Sequence, residues 1–389
     1  MDRRIYLDHA ATTAVDQRVV DAMLPYFTAD YGNPSAVHGL GQRSQAALIK
    51  AREQVAGVLN AHPDEIVFTG CGSESDNLAL RGVFFARREQ GNHIITCAIE
   101  HPAVLETCRQ LAEQFGARVT ILPVDGDGLV DPADVERAIT PGTVLVSIMY
   151  ANNEVGVIEP IAEIGAIAHA HGIAFHTDAV QAGGQLPLDV DDLNVDLLAL
   201  SAHKFYGPKG VGLLYVRRGT RLLPALSGGG QEHGLRSGTE NVPYIVGLAK
   251  ALTLAYDDLT GRNRRILAMR ERLISGVLSA IPDAHLTGHR TRRLPNSASF
   301  CFDGVAADAL LINLDLAGIA ASSGSACHAG SLTPSGVLTA MGIPRERALG
   351  ALRLTLGNEN TPADVEHVLQ VLPPLVARLR EQGQASHAS

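Results

Sequence analysis

The sequence contains no tryptophan, and phenylalanine and tyrosine supply only 4% of its residues, so platforms on which nucleobases could stack are scarce. It is also short of positive charge. Its 32 lysines and arginines stand against 41 acidic residues, and a formal net charge of -9 offers no basic footprint for nucleic acid or an anionic membrane. No apolar run approaches the ~18 residues that would span a bilayer. Met1 to Arg4 is charged and runs straight into Ile5, without the apolar stretch and small-residue cleavage site of a secretory signal, so a cytoplasmic location is expected. The five cysteines (Cys71, Cys97, Cys108, Cys301 and Cys327) are too few for a disulfide framework in 389 residues. None lies at CxxC spacing, so no metal site is expected, and each by default is a small buried residue. GxGxxG, GxxxxGK[ST] and HExxH are all missing, which removes support for dinucleotide, P-loop and metalloprotease chemistry.

What remains is the composition of a folded protein, 46% hydrophobic and 19% charged, and more chain than one core usually organises. From about residue 60 to 255, short apolar runs alternate with helical periodicity, the pattern of an α/β fold with a mostly parallel sheet. The runs Glu65 to Phe68, His93 to Cys97, Arg118 to Leu122, Val144 to Met149, Ala174 to Thr177, Leu197 to Ser201 and Val211 to Val216 predict seven strands. Apolar residues at three-to-four spacing predict amphipathic helices over Asp76 to Arg88, Ala103 to Phe115 and Ile161 to His171. Beyond Thr260 the composition shifts to an arginine-rich helix, Arg262 to Ala280, and a short strand, Ala298 to Phe302. The expected organisation is a large domain at 14–258 and a smaller α+β domain made of 1–13 and 259–389.

In an open α/β sheet, ligands gather outside the carboxyl ends of the strands, and those positions are unusually polar here. The first run is followed by Thr69-Gly70-Cys71-Gly72-Ser73, a glycine turn opening a helix whose free N–H groups suit a phosphate. An ordinary serine cap explains the same turn. Later runs end in Glu100-His101, Asn152-Asn153-Glu154, Thr177-Asp178 with Gln181 beyond, and Ser201-Ala202-His203-Lys204. Lysine is rare: Lys50, Lys204, Lys209 and Lys250 are the whole set, and only Lys204 ends a buried strand. A lysine amine, a carboxylate and a phosphate site at strand ends are what pyridoxal 5'-phosphate requires, with Lys204 for its aldehyde and Asp178 for its ring nitrogen. His101 is placed to stack on the ring, and Asn153 and Gln181 to reach its oxygen.

Those segments, together with Tyr6-Leu7-Asp8-His9-Ala10-Ala11-Thr12-Thr13, Gly32-Asn33-Pro34-Ser35, Arg236-Ser237-Gly238-Thr239 and Ser322-Ser323-Gly324-Ser325-Ala326-Cys327, closely resemble the cysteine desulfurases of the NifS/IscS type, in order and over nearly the whole chain. The resemblance implies a homodimeric fold-type I pyridoxal-phosphate enzyme of the class V aminotransferase group. It implies that Gly72, Ser73, Ser201 and His203 bind the cofactor phosphate, with Thr239 supplied by the other subunit. It further implies that Arg353 holds the substrate carboxylate, Cys327 accepts the sulfur, and a sulfur-acceptor protein serving iron–sulfur cluster or other sulfur-cofactor biosynthesis takes it onward. The small-residue run before Cys327 is itself unlike a core segment, which favours a nucleophile there. His101 is expected as a proton shuttle, and Asn153 as a contact for substrate as well as cofactor. Selenocysteine lyase and other β-lyases of this fold are the nearest alternatives, and a catalytically silent scaffold the non-enzymatic one. Cys71, His233 and Asn358 depart from the family pattern, where glycine at the first and arginine at the others are usual.

Overall fold

The computed structural model describes residues 4–324 and 334–387, with side chains to residue 382. Seven strands form the main sheet: β1 (Ile66–Thr69), β2 (His93–Cys97), β3 (Arg118–Leu122), β4 (Thr143–Ser147), β5 (Ala174–Asp178), β6 (Leu197–Ser201) and β7 (Gly212–Val216). Their order across the sheet is β1-β7-β6-β5-β4-β2-β3, and β7 alone runs antiparallel to its neighbours. All but β3 are buried along their whole length. That burial on both faces is why they read as continuous apolar runs rather than alternating ones. The expected boundaries hold to within two residues. The largest shift is at β4, which ends at Ser147, two residues short of Met149.

Helices cover both faces and begin at the strand ends. α1 (Gly39–Leu59) precedes the sheet, and α2 (Gly72–Ala86), α3 (Pro102–Phe115) and α4 (Ile161–Ala170) follow β1, β2 and the turn after β4. The chain travels outward from β2 to β3 and then returns through β4 to β7 on the other side. The carboxyl ends of β2 and β4 therefore flank a topological switch point, where an α/β sheet leaves a crevice.

After α5 (Val242–Asp257), α6 (Leu259–Ala280) leads into a second sheet of β8 (Ala284–Leu286), β9 (Ser297–Phe302) and β10 (Ala351–Thr355), all antiparallel. α6 and the long C-terminal helix α7 (Pro362–His387) pack on it. A separate hydrophobic cluster gathers Ile5 and Leu7 with Leu273, Phe300, Leu354 and Val368, so the N-terminal residues share the core of this second unit. Their two-residue strand Ile5–Tyr6 pairs in parallel with Ile319–Ala320. No helix among the described residues is long and apolar enough to cross a membrane.

Because Phe300 is fully buried at the centre of the second sheet, next to Ser299, which pairs with Arg353, Phe300→Ala is expected to cost about 3–5 kcal/mol of stability. Urea unfolding followed by circular dichroism measures it, and a loss under about 1 kcal/mol would show that this sheet tolerates a void.

Candidate active site

The strand ends and the second sheet enclose a cavity of about 390 Å³. Gly72, Ser73, His101, Asn153, Asp178, Gln181, Ser201, His203, Lys204 and Arg353 all line it. Two expected residues are not there. Thr239 is exposed on the surface of this single chain and is not part of the lining, while Cys327 lies outside the described residues.

Each side of the cavity follows from local structure. α2 starts at Gly72, so the backbone N–H groups of its first turn have no helical partner. A Cβ added at Gly72 would stand 2.8 Å from Val180 Cγ2 and 3.3 Å from Ser201 Cβ, so only glycine lets this turn close against β6. Cys71 is a correction to expectation: it is exposed, because it is the helix cap, its Sγ accepting from Glu74 N at 3.4 Å. Cys97, Cys108 and Cys301 are buried as expected.

Asp178 ends β5, with Val180 N donating to its Oδ1 at 2.9 Å. Burial, with Asp76 nearby, pushes its carboxyl up to about 7, partly offset by His101. Asp76 itself sits one helical turn beyond Gly72 on the same face of α2 and is raised to about 8 by burial. His176 Nε2 stands 3.5 Å from Asp76 Oδ1 and is lowered to about 4 by burial, while its Nδ1 shares a hydrogen bond of 2.8 Å with Ser147 Oγ. Burial thus favours the neutral form of both groups, and neither facing atom has a hydrogen-bond partner among the described residues. Glu100, buried and raised well above the usual carboxylate range, accepts from Met149 N at 2.6 Å and from Cys97 Sγ at 3.3 Å. Asp178 is thereby the carboxylate of this group that most readily carries charge into the cavity.

Lys204 follows β6, and its Nζ donates to the carbonyls of Ala10 and Ala11 at 2.5 and 2.9 Å. Burial, with Arg353 adding to it, lowers its ammonium to about 8. Lys209 is exposed. His101 caps α3: its Nδ1 accepts from Ala103 N at 3.1 Å, which leaves the neutral ring's proton on Nε2. His203 Nδ1 lies 3.2 Å from Thr12 Oγ1, and burial with Lys204 and Lys209 nearby lowers its ring to about 4. Gln181 Nε2 donates to Ala10 O at 3.0 Å.

The far wall is Arg353 on β10, whose Nη2 donates to Asp8 Oδ1 at 2.6 Å and Nη1 to Asn153 O at 2.7 Å. Its Nε is buried without a hydrogen-bond partner among the described residues, a donor suited to an incoming carboxylate. These features fit pyridoxal phosphate: free N–H groups at a glycine turn, a lysine amine near neutrality, and a buried carboxylate with no lysine or arginine paired to it among the described residues. Sequence reasoning quoted Asp8, Asp76, Glu100 and Glu154 within motifs but assigned them nothing. The signal for Asp76 was its four-residue spacing from Gly72.

The aminotransferase class-V family matches residues 5–368. The chain is 52% identical over 379 residues to "Cysteine desulfurase IscS" of Methanosarcina thermophila, covering 97% of this chain and 93% of that protein. Among solved structures it is similar to a "NIFS-LIKE PROTEIN" (TM-score 0.90, 39% identity, 96% of this chain and 100% of that one). It is similar also to "SspA in complex with cysteine" (TM-score 0.80, 39% identity, 90% and 98%).

An amine lowered to about 8 is half neutral there, whereas an ordinary lysine at ~10.4 is almost wholly protonated. In cofactor-free protein, Lys204 is therefore expected to be the fastest of the four lysines in reductive methylation, with a rate midpoint near pH 8, read by peptide mass spectrometry. A Lys204 rate no greater than that of Lys209 would contradict the environment described for it.

Proposed function

The chain belongs to the aminotransferase class-V family and is a pyridoxal-phosphate-dependent cysteine desulfurase, and we propose that it leaves the sulfur of L-cysteine as a persulfide on Cys327. The convergence of Lys204, Asp178 and Arg353 on one cavity is the observation that supports this reading most. When bound, the cofactor supplies an aldehyde that links to an amine and a protonated pyridine that accepts the electron pair released at the substrate Cα.

In this proposal Gly72, Ser73, Ser201 and His203 hold the phosphate, Asp178 faces the ring nitrogen, and Asn153 and Gln181 face the ring oxygen. Arg353 takes the substrate carboxylate, with Asn153 beside it, and so orients the cysteine side chain. Lys204, neutral near pH 8, removes the Cα proton. His101, stacked on the ring, has its Nε2 proton free for exchange with the substrate thiol. The Cys327 thiolate then attacks the substrate sulfur. The S–S bond forms as the C–S bond breaks, the bonding pair passes to the carbon side, and protonation there completes L-alanine. Substrate sulfur is oxidised and Cβ reduced, so no outside oxidant is needed.

Gly324 lines the cavity, and Cys327 follows it by three residues in the sequence. The enzyme acts as a cytoplasmic homodimer, with Thr239 reaching the partner's cofactor phosphate. The persulfide passes to an acceptor protein for iron–sulfur cluster or other sulfur-cofactor biosynthesis.

Asp178→Asn is expected to retain cofactor through the phosphate contacts while turnover falls by roughly two orders of magnitude or more, read as alanine formation at equal cofactor occupancy. Activity within about twofold of the parent would remove Asp178 from the ring nitrogen. Cys327→Ala is expected to abolish sulfur release from L-cysteine yet keep much of the activity on L-selenocysteine, because selenium leaves carbon without nucleophilic help more readily than sulfur does. Sulfide release from cysteine at the parent rate would end the persulfide reading, and a parent enzyme active on selenocysteine alone would make the chain a selenocysteine lyase.

A further inference from the structure

The glycine turn that opens α2 carries a carboxylate beside the place where an anion is to bind. Glu74, one residue past Ser73, folds back so that its Oε2 accepts from Gly70 N at 2.7 Å, while its own N donates to Cys71 Sγ at 3.4 Å. A carboxylate in the first turn of a helix is favoured by the positive end of the dipole, and it draws on the same field that a phosphate at Gly72 and Ser73 would use. Arg236 answers that charge. Its Nε donates to Glu74 Oε1 at 2.7 Å and its Nη2 to Oε2 at 3.5 Å, a two-pronged contact of one cation with one anion.

The stretch around Arg236 is held without it. Glu232, four residues earlier, takes Arg52 Nη2 on Oε1 and Phe68 N on Oε2, both at 2.8 Å, which ties this stretch directly to β1. Gly238 N donates to Gln231 Oε1 at 3.0 Å, and Ser237 N to Leu226 O at 3.3 Å. Among the described residues the Arg236 guanidinium hydrogen-bonds to Glu74 alone, so its removal changes the charge at the turn more than the path of the chain.

We propose that Arg236 is a positioning residue for the cofactor phosphate that acts by charge: it balances Glu74, so that Glu74 can hold the Gly70 N–H without repelling a phosphate at the neighbouring Gly72 and Ser73. This deepens the reading of Gly72 and Ser73 as the phosphate site and rests on it. The two side chains are partly exposed, 26% for Arg236 and 33% for Glu74, so the effect is open to screening by salt.

The test titrates cofactor-free, full-length protein with pyridoxal phosphate and with pyridoxal, which keeps the aldehyde but lacks the phosphate. The visible absorbance of the lysine-bound form gives each affinity at low and high salt. Arg236→Gln is expected to weaken pyridoxal phosphate roughly fivefold or more at low salt, to do so less at high salt, and to leave pyridoxal within about twofold of the parent. Glu74→Gln, whose amide oxygen still accepts from Gly70 N, leaves Arg236 unbalanced and should tighten pyridoxal phosphate. The double variant should return close to the parent affinity. If Arg236 merely braced the chain, Arg236→Gln would weaken both ligands alike and Glu74→Gln would not rescue it; either result overturns the proposal. So does a Glu74→Gln variant that binds pyridoxal phosphate more weakly than the parent, and this measurement stays decisive if Arg236→Gln fails to fold. A parent that binds pyridoxal as tightly as pyridoxal phosphate would instead end the phosphate-site reading, and this proposal with it.

Discussion

The Arg353 guanidinium is where the second sheet, the N-terminal segment and the turn after β4 meet, through Asp8 Oδ1 and the Asn153 carbonyl. A buried cation is tolerated only when most of its donors are met, and Arg353 meets those of Nη1 and Nη2 with groups from sequence positions some two hundred and three hundred and fifty residues away. The cavity's outer wall therefore exists only once both hydrophobic cores have formed and docked. An arginine placed so that one donor remains unmet among the described residues also has a reason to exchange partners when a carboxylate arrives. The constraint that closes the site is thus the one that would recognise the substrate.

Electrostatics on the inner wall follow from the same economy of charge. Asp76, Glu100 and Asp178 cannot all ionise in a buried pocket with no lysine or arginine paired to them among the described residues. Asp76 resolves this through its neutral form, which burial favours, and Glu100 by accepting a backbone N–H while raised far above its usual range. Asp178 is left as the group whose ionisation an incoming cationic ring nitrogen would stabilise. On the other side Lys204 is lowered toward neutrality by burial and by Arg353, the condition a nucleophilic amine and a proton acceptor both need. The arginine on the outer wall thus also tunes the lysine on the inner one.

The strands were legible because buried parallel strands announce themselves as unbroken apolar runs, and Lys204 and Asp178 were legible because they end such runs. Cys71 was misjudged because a cysteine's default is burial, and nothing local distinguishes a capping sulfur from a core one. Asp76 escaped notice because its depth depends on α2 packing against the sheet, a tertiary fact. Glu154 escaped because its hydrogen-bond partner Ser335 is distant in sequence. Thr239 could be placed near the cofactor only by family resemblance, and its exposed position in one chain neither supplies nor denies a contact made across two.

A persulfide must do two things that pull in opposite directions: form deep in a cavity that excludes water, and then be handed to another molecule. Strand ends serve the first need, since their side chains are held by a rigid sheet, and every group proposed to touch the cofactor within one subunit lies on or just after them. A sulfur acceptor on a strand end would hold its product where no partner could collect it. In the proposed mechanism the acceptor is Cys327, which follows Gly324 in the sequence and belongs to none of the apolar runs that end in the cofactor-binding groups, so its chemistry is not tied to a strand end by sequence.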